Sequence, residues 1–177
     1  MKGLTLIGFT GLAGSGKSTA AHFLLEERGF YPVSFAGPLK TMARAFGLSD
    51  RELNGDLKEV PSIHLCGKTP RQFMQLLGTE FGRQMIGADL WLRAFRREAQ
   101  RLYRDGWTSL VVDDVRFENE ATLIHEMGGR VIRIERPGSG SVSGAGHASE
   151  AGIAKIDAVI LNSGSLDKLR ENIVSLL

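Results

Sequence analysis

Eight consecutive residues, Gly11-Leu12-Ala13-Gly14-Ser15-Gly16-Lys17-Ser18, restrict this chain more than any others. They fill every fixed position of a spacing pattern: glycine, any four residues, glycine, lysine, then serine or threonine. The run before them, Leu4-Thr5-Leu6-Ile7-Gly8-Phe9-Thr10, suits a short apolar strand, and Thr19 to Arg28 reads as a helix closed by Gly29. Strand, glycine-rich turn and helix together make a phosphate cradle. Glycines let successive N–H groups turn inward with no Cβ in the way, and the helix N-terminus adds positive partial charge. The motif predicts a nucleoside triphosphate held by Gly11, Ala13, Gly14, Ser15, Gly16, Lys17, Ser18 and Thr19. Lys17 would reach the β- and γ-phosphates, and the Ser18 hydroxyl would ligate Mg2+. The alternative is a glycine turn with no ligand, and the two correct flanks argue against it. The motif does not say what the triphosphate is used for.

The chain has 177 residues, which fits one domain or a domain with a small insertion. At 42% hydrophobic and 24% charged, the composition is that of an ordinary globular protein. A net charge of only +2 gives no argument for a nucleic-acid partner. Cys66 is the sole cysteine, so neither an internal disulfide nor a cysteine zinc site is available, and a reducing cytoplasm is the expected compartment. Lys2 followed by an apolar run imitates a leader, but Gly8, Thr10 and Gly11 interrupt it. No run approaches the ~20 apolar residues of a membrane span.

Further along, Tyr31 to Ala36 reads as a second strand, and Gly37-Pro38 opens a helix whose apolar side is Leu39, Met42, Ala43 and Phe46. Lys40 sits in its first turn, as a substrate contact or as a solvated lysine. Residues 49–68 read as a loop or short helical insert. Thr69-Pro70-Arg71-Gln72 is a strong helix start, with Thr69 as N-cap and Gln72 completing a capping box. That helix is expected to run to about Met85, with Phe73, Leu77 and Phe81 on its core face. Arg71, Gln75, Gly78, Thr79, Gly82 and Arg83 fall on another arc. Glycine in a helix costs ~1 kcal/mol against alanine, so a close approach is expected there, and beside a phosphate-binding motif a ligand is favoured over plain packing. Asp89 can cap a helix from Leu90 to about Arg104 with Trp91, Phe95 and Leu102 buried. Its arginine ladder, Arg93, Arg97, Arg101 and Arg104, reads first as a solvated face.

Ser109 to Asp114 is an apolar strand ending in two carboxylates, where a phosphate-binding fold of this kind places the support of its Mg2+. The register leaves Asp113 and Asp114 both open. Asp113 is taken with Ser18 as the metal pair, and Arg116 lies at the same carboxyl edge. A fourth strand spans Arg130 to Glu135 and a fifth Ile156 to Leu161, with a last helix over Leu166–Leu177. Between the fourth and fifth lies Gly138 to Gly146, either a mobile flap or a passive loop, followed by His147, Ser149 and Glu150. Strands alternating with helices imply an α/β fold: a five-stranded, mostly parallel sheet with helices on both faces.

Taken together, these blocks resemble the nucleoside monophosphate kinases, and most closely the bacteriophage-type deoxynucleoside monophosphate kinases. The resemblance runs nearly the full length. It rests on the glycine loop, Phe35-Ala36-Gly37-Pro38-Leu39-Lys40, Pro70-Arg71 with Gln75 and Leu77-Gly78-Thr79-Glu80, Arg83, Asp89 and Trp91. It continues through Asp114-Val115-Arg116-Phe117 with Asn119-Glu120, and His147 with Ser149-Glu150. It implies a single three-layer α/β/α domain over residues 1–177, with an acceptor-binding helical insertion at about 37–105 and a short lid at about 136–149. It implies transfer of the γ-phosphoryl of ATP to a deoxynucleoside monophosphate with Mg2+. By position, Lys17 and the loop amides would hold the donor, and Arg71, Arg83 and Arg116 the acceptor phosphate. Asp114 would order Mg2+ or the acceptor, Trp91 would wall the base pocket, and Arg136 would serve ATP from the lid side. Lys40, Gln75, Thr79, Glu120 and Glu150 complete the substrate-binding set, with Lys17, Arg71, Asp114 and Arg116 as the catalytic residues. Such lids usually supply arginines. Gly138 to Gly146 has none, which leaves Arg133 and Arg136 as the nearest candidates.

Two rivals stand beside this: a kinase of another small molecule, such as a coenzyme precursor or sugar acid, which shares the donor chemistry, and a non-kinase switch or ATPase acting on a macromolecule. The expected partners are small-molecule nucleotides, with no nucleic acid and no membrane; a homodimer is allowed without being required. A phage-encoded enzyme of this kind would act in the host cytoplasm.

Overall fold

The computed structural model describes residues 1–139 and 153–177. The chain forms two compact units, one of Met1–Ser34 with Glu98–Leu177 and one of Phe35–Arg97.

The first unit is built on a five-stranded sheet. Its strands are β1 Thr5–Thr10, β2 Tyr31–Pro32, β3 Ser109–Val112, β4 Arg130–Glu135 and β5 Ala158–Leu161, in the order β2-β3-β1-β4-β5. Every pairing is parallel. Strand β1 is central, and Leu6 to Thr10 are all buried, as a strand covered on both faces requires. Alternation divides its side chains. Ile7 and Phe9 join Val111, Ile132, Ile134 and Ile160 in one core with helices α1 (Lys17–Arg28) and α7 (Leu166–Val174). On the other face, Gly8 makes room for helix α6 (Glu118–Glu126): a Cβ there would stand 2.5 Å from Ile124 Cδ1. The sheet thus lies between helices, the three-layer α/β/α arrangement the alternating pattern predicts.

The chain leaves β1 through α1 on one face and leaves β3 through α6 on the other. Because β1 and β3 are neighbours, their carboxyl ends flank the point where strand order reverses, where open α/β sheets bind ligands. The edge strand β2 is shorter than the expected Tyr31 to Ala36. Pro32 has no N–H to donate, Val33 N–H makes one more bond to the Val111 carbonyl at 2.9 Å, and the chain then turns away.

The second unit is helical. It holds α2 (Gly37–Ala45), α3 (Asp50–Asn54), α4 (Pro70–Gln75) and the start of α5 (Leu90–Arg104). Its core gathers Ala43, Leu48, Leu53 and Leu65 against Phe73 and Met74, and Phe35 stacks on Phe95 at 4.1 Å between ring centroids. Within residues 49–68, α3 starts on a capping box of Ser49 and Glu52, and 3-10 turns cover Asp56–Glu59 and Ile63–Leu65. Helix α4 starts where the sequence predicts: the Thr69 hydroxyl accepts from the Gln72 N–H, and Gln72 caps Thr69 in return.

Beyond Gln75 the α geometry ends. Leu76–Ile86 is π-helical, and Gly87 N–H reaches back five residues to the Gly82 carbonyl. A side-chain donor inserted in the carbonyl ladder is one recognised cause of such a departure, and the Trp91 indole N–H donates to the Gly78 carbonyl at 2.8 Å. The wider turn breaks the face assignment made at about 100° per residue. Phe81, expected in the core, is 38% exposed, whereas Gly82 is buried.

Among the described residues, no helix is long and apolar enough to cross a membrane.

Candidate active site

The loop after β1 closes over its own backbone. Gly11 has φ +136°, and a Cβ on it would lie 2.2 Å from the Ile134 carbonyl oxygen, so the turn can begin only with glycine. Gly16 has φ +108° and caps α1 without a side-chain bond, and the first turn of α1 carries no acid. No acid of the helix's own first turn therefore offsets the positive end of this 12-residue helix. Ser15 is buried beneath the loop, while Ala13, Gly14, Ser18 and Thr19 are exposed along it.

Lys17 folds back along the loop. Its Nζ donates to the Gly11 carbonyl at 2.8 Å and to the Leu12 carbonyl at 2.7 Å. Its pKa lies below the ordinary lysine value: burial is the main cause, the Arg116 charge adds to it, and Asp113 opposes both. Ser18 Oγ donates to Asp113 Oδ2 at 2.7 Å. The adjacent carboxylate faces elsewhere: Asp114 Oδ2 accepts from Ser34 Oγ at 3.0 Å. The two acids left open by the sequence thus have different partners, one on the glycine loop and one on the strand-edge serine.

Arg116 follows these acids and is exposed. Its position is set by Glu120, whose Oε2 accepts from the backbone N–H of Arg116 at 2.7 Å and of Phe117 at 3.1 Å. Glu120 is only 3% exposed. The resemblance puts it among the substrate contacts; in the structure its buried carboxylate caps α6 and fixes the Arg116 backbone. Arg136 is exposed, one residue past β4, and therefore at the same sheet edge as the glycine loop. Arg133, the other lid candidate, donates to the Ile153 carbonyl and so ties backbone together. Glu150, with His147, Ser149 and most of the expected lid, lies outside the described residues.

The remaining candidates belong to the helical unit. Lys40 is half-buried in the first turn of α2, and Gln75 and Thr79 are half-buried along the α4–π helix. Arg71 is ion-paired through Nε with Glu59 Oε1, both side chains remaining about half exposed. Arg83 Nη1 makes a long contact, 3.5 Å, to the Ala88 carbonyl. Trp91, expected to wall a base pocket, is 6% exposed, and its indole covers Gly82, where a Cβ would lie 2.5 Å from Cζ2. The helix glycines make the close approaches expected of them to protein side chains: Gly82 admits the indole, and a Cβ on Gly78, whose carbonyl accepts from that indole, would press on Leu39 at 3.3 Å.

Comparison with known proteins decides the kinship. The family model described as deoxynucleotide monophosphate kinase matches residues 67–173. A protein of Acanthamoeba polyphaga mimivirus that carries a deoxynucleotide monophosphate kinase assignment is 37% identical, over 97% of this chain and 95% of its own. The chain belongs to the deoxynucleotide monophosphate kinase family.

The deoxynucleotide monophosphate kinase of Escherichia phage RB69 is 28% identical over 85% of this chain and 62% of its own length. Solved structures add the fold. A Thermus thermophilus protein superposes with TM-score 0.53 at 20% identity, over 98% of this chain and 96% of its own. A sugar kinase from Janibacter sp. does so with TM-score 0.50 at 14% identity, over 97% and 92%. The family match takes in the Arg71 to Arg83 helix and the Asp113 to Glu120 block but begins after the glycine loop.

Three residues that bond to candidate site residues are not singled out by the sequence: Ser34, on Asp114; Glu59, on Arg71; and Asn162, on Ser15. No local pattern marks the first two. Asn162 stands in a turn-forming Asn-Ser-Gly-Ser run and donates to the glycine loop through its side chain.

Proposed function

We propose that this member of the family transfers the γ-phosphoryl group of ATP to a deoxynucleoside monophosphate, giving the diphosphate. The observation that carries the reading is the Ser18–Asp113 contact at the crevice between β1 and β3, with the Lys17 ammonium on the same loop. Family membership supplies the class of acceptor.

The oxygen donors at that crevice suit Mg2+. Among the described residues, no group of three His, Cys, Asp or Glu side chains is placed to hold a metal. Mg2+ does not need such a cage, since one or two protein oxygens commonly hold it together with substrate phosphates. Ser18 and Asp113 would hold it, and when bound it neutralises charge on the phosphate oxygens.

The chain's own residues do the rest. Phosphoryl transfer asks mainly for in-line positioning and charge stabilisation. The loop amides and Lys17 orient the donor phosphates. Arg71, Arg83 and Arg116 are proposed to grip the acceptor phosphate, since a planar guanidinium binds two oxygens at once. Lys40, Gln75 and Thr79 are proposed to orient the acceptor and Arg136 the ATP, while Asp114, held by Ser34, orders the acceptor. Trp91 fixes the helix that carries Thr79 and Arg83. Viral relatives make the cytoplasm of an infected host the proposed place of action.

The test is a panel of all deoxynucleoside monophosphates with ATP and Mg2+, scored for diphosphate product. Acceptor-dependent diphosphate supports the reading. ATP hydrolysis indifferent to every monophosphate, or transfer only to a non-nucleotide acceptor, overturns it.

A further inference from the structure

We propose that Asn162 is a positioning residue of the triphosphate cradle, fixing the direction in which the loop amides point. It rests on the reading of Gly11 to Ser18 as the ATP site and concerns a residue outside that motif. Asn162 follows β5 directly, and its backbone N–H donates to the Glu135 carbonyl at 2.7 Å, which pins it to the end of β4. From there Nδ2 donates to the Ser15 carbonyl at 2.9 Å. The amide can take only this orientation, because the flipped form would set Oδ1 against the carbonyl oxygen.

The consequence follows from peptide geometry. In a planar trans peptide the C=O of one residue and the N–H of the next point in opposite directions. Holding the Ser15 carbonyl against Asn162 therefore turns the Gly16 N–H away from β5, toward the concave side of the loop. The loop is shaped around this contact: a Cβ on Gly16 would lie 2.5 Å from Asn162 Nδ2. Ser15 offers no substitute brace, since its buried hydroxyl has no hydrogen-bond partner among the described residues. A loop whose amides are aimed before ATP arrives does not have to be ordered by ATP, so the contact acts on donor affinity.

Asn162→Ala and Asn162→Asp in the full chain test this, with KM for ATP, KM for the monophosphate and thermal stability measured together. Loss of one positioning hydrogen bond is expected to raise the KM for ATP about 10-fold, with the monophosphate KM and the melting temperature close to wild type. The aspartate variant adds a signature. Its carboxylate repels the Ser15 carbonyl, but once protonated it donates again. Its KM for ATP, taken relative to wild type at each pH, is therefore expected to recover as pH falls toward the ordinary aspartate value of about 3.9. An unchanged KM for ATP in both variants overturns the proposal. So do equal rises in both KM values, or an aspartate variant whose relative KM ignores pH. Those outcomes leave the ATP-site reading standing, whereas a wild-type protein with no saturable dependence on ATP overturns both.

Discussion

Ser18 and Asp113 lie 95 positions apart in sequence, yet the Ser18 hydroxyl donates to the Asp113 carboxylate across 2.7 Å. Strand register brings them together. Gly8 on β1 pairs with Val112 on β3, so the loops that follow both strands leave the sheet side by side. The neighbouring Asp114 turns to Ser34. Asp113→Asn is therefore expected to raise the Mg2+ concentration needed for half-maximal activity about 10-fold or more. Asp114→Asn is expected to leave that midpoint near wild type while weakening use of the acceptor. Mg2+ titration of the three proteins checks this, and a larger shift in the Asp114 variant would reverse the assignment.

The lowered pKa of Lys17 predicts a pH profile. Burial and the Arg116 charge disfavour its ammonium form, with Asp113 opposing them. The charged form is the one that attracts phosphate, so donor use is intact below the lowered pKa and is lost as pH rises through it. The kcat/KM for ATP reports groups of the free enzyme. Its alkaline limb is expected below the ordinary lysine value of about 10.4. A limb at or above that value would mean that burial and Arg116 do not disfavour the Lys17 ammonium.

Arg71 and Glu59 predict a pair of opposite effects. An exposed ion pair contributes little to stability, so neither Arg71→Ala nor Glu59→Gln is expected to move the melting temperature much. Arg71→Ala is expected to raise the monophosphate KM about 10-fold or more through loss of a charge-assisted contact. Glu59→Gln frees the guanidinium from its competitor and is expected to lower that KM. A monophosphate KM unmoved in both variants, with kcat unmoved as well, removes Arg71 from the site.

The Trp91–Gly82 contact predicts coupling within the helical unit. A methyl group at position 82 would meet the indole at three atoms, the farthest 2.6 Å away. Gly82→Ala is expected to destabilise the protein by about 1–3 kcal/mol through overpacking. Trp91→Phe removes the crowded ring and the Gly78 hydrogen bond together, so the double variant is expected to cost less than the sum of the single ones. Urea denaturation measures all three. Simple additivity would mean the two residues do not press on each other.

The parts of the fold that the sequence reading reached are those written in local order. The apolar run of β1, the loop glycines and the Thr69–Gln72 capping box each depend on residues within a few positions of one another, and each is present. What it missed depends on distant partners. The π-helical course of Leu76–Ile86 goes with an indole from another helix, so a periodicity taken at α-helical pitch misplaces Phe81. Pro32 and the turn of Ser34 toward Asp114 shorten β2, although its composition suits a longer strand. Glu120 carries the charge of a substrate contact, but only coordinates show it buried against two backbone N–H groups. Asn162 reaches Ser15 across 147 positions, beyond any motif.

The proposed reaction requires the glycine loop to hold an ATP whose γ-phosphoryl group passes to a nucleotide. Single-turnover transfer from γ-labelled ATP to a deoxynucleoside monophosphate, in the wild type and in Lys17→Ala, tests it most directly. Label is expected in the deoxynucleoside diphosphate, at a rate that falls ~100-fold or more when the lysine charge is removed. Label appearing as inorganic phosphate at the same rate with and without the monophosphate, or transfer undiminished in Lys17→Ala, would contradict it.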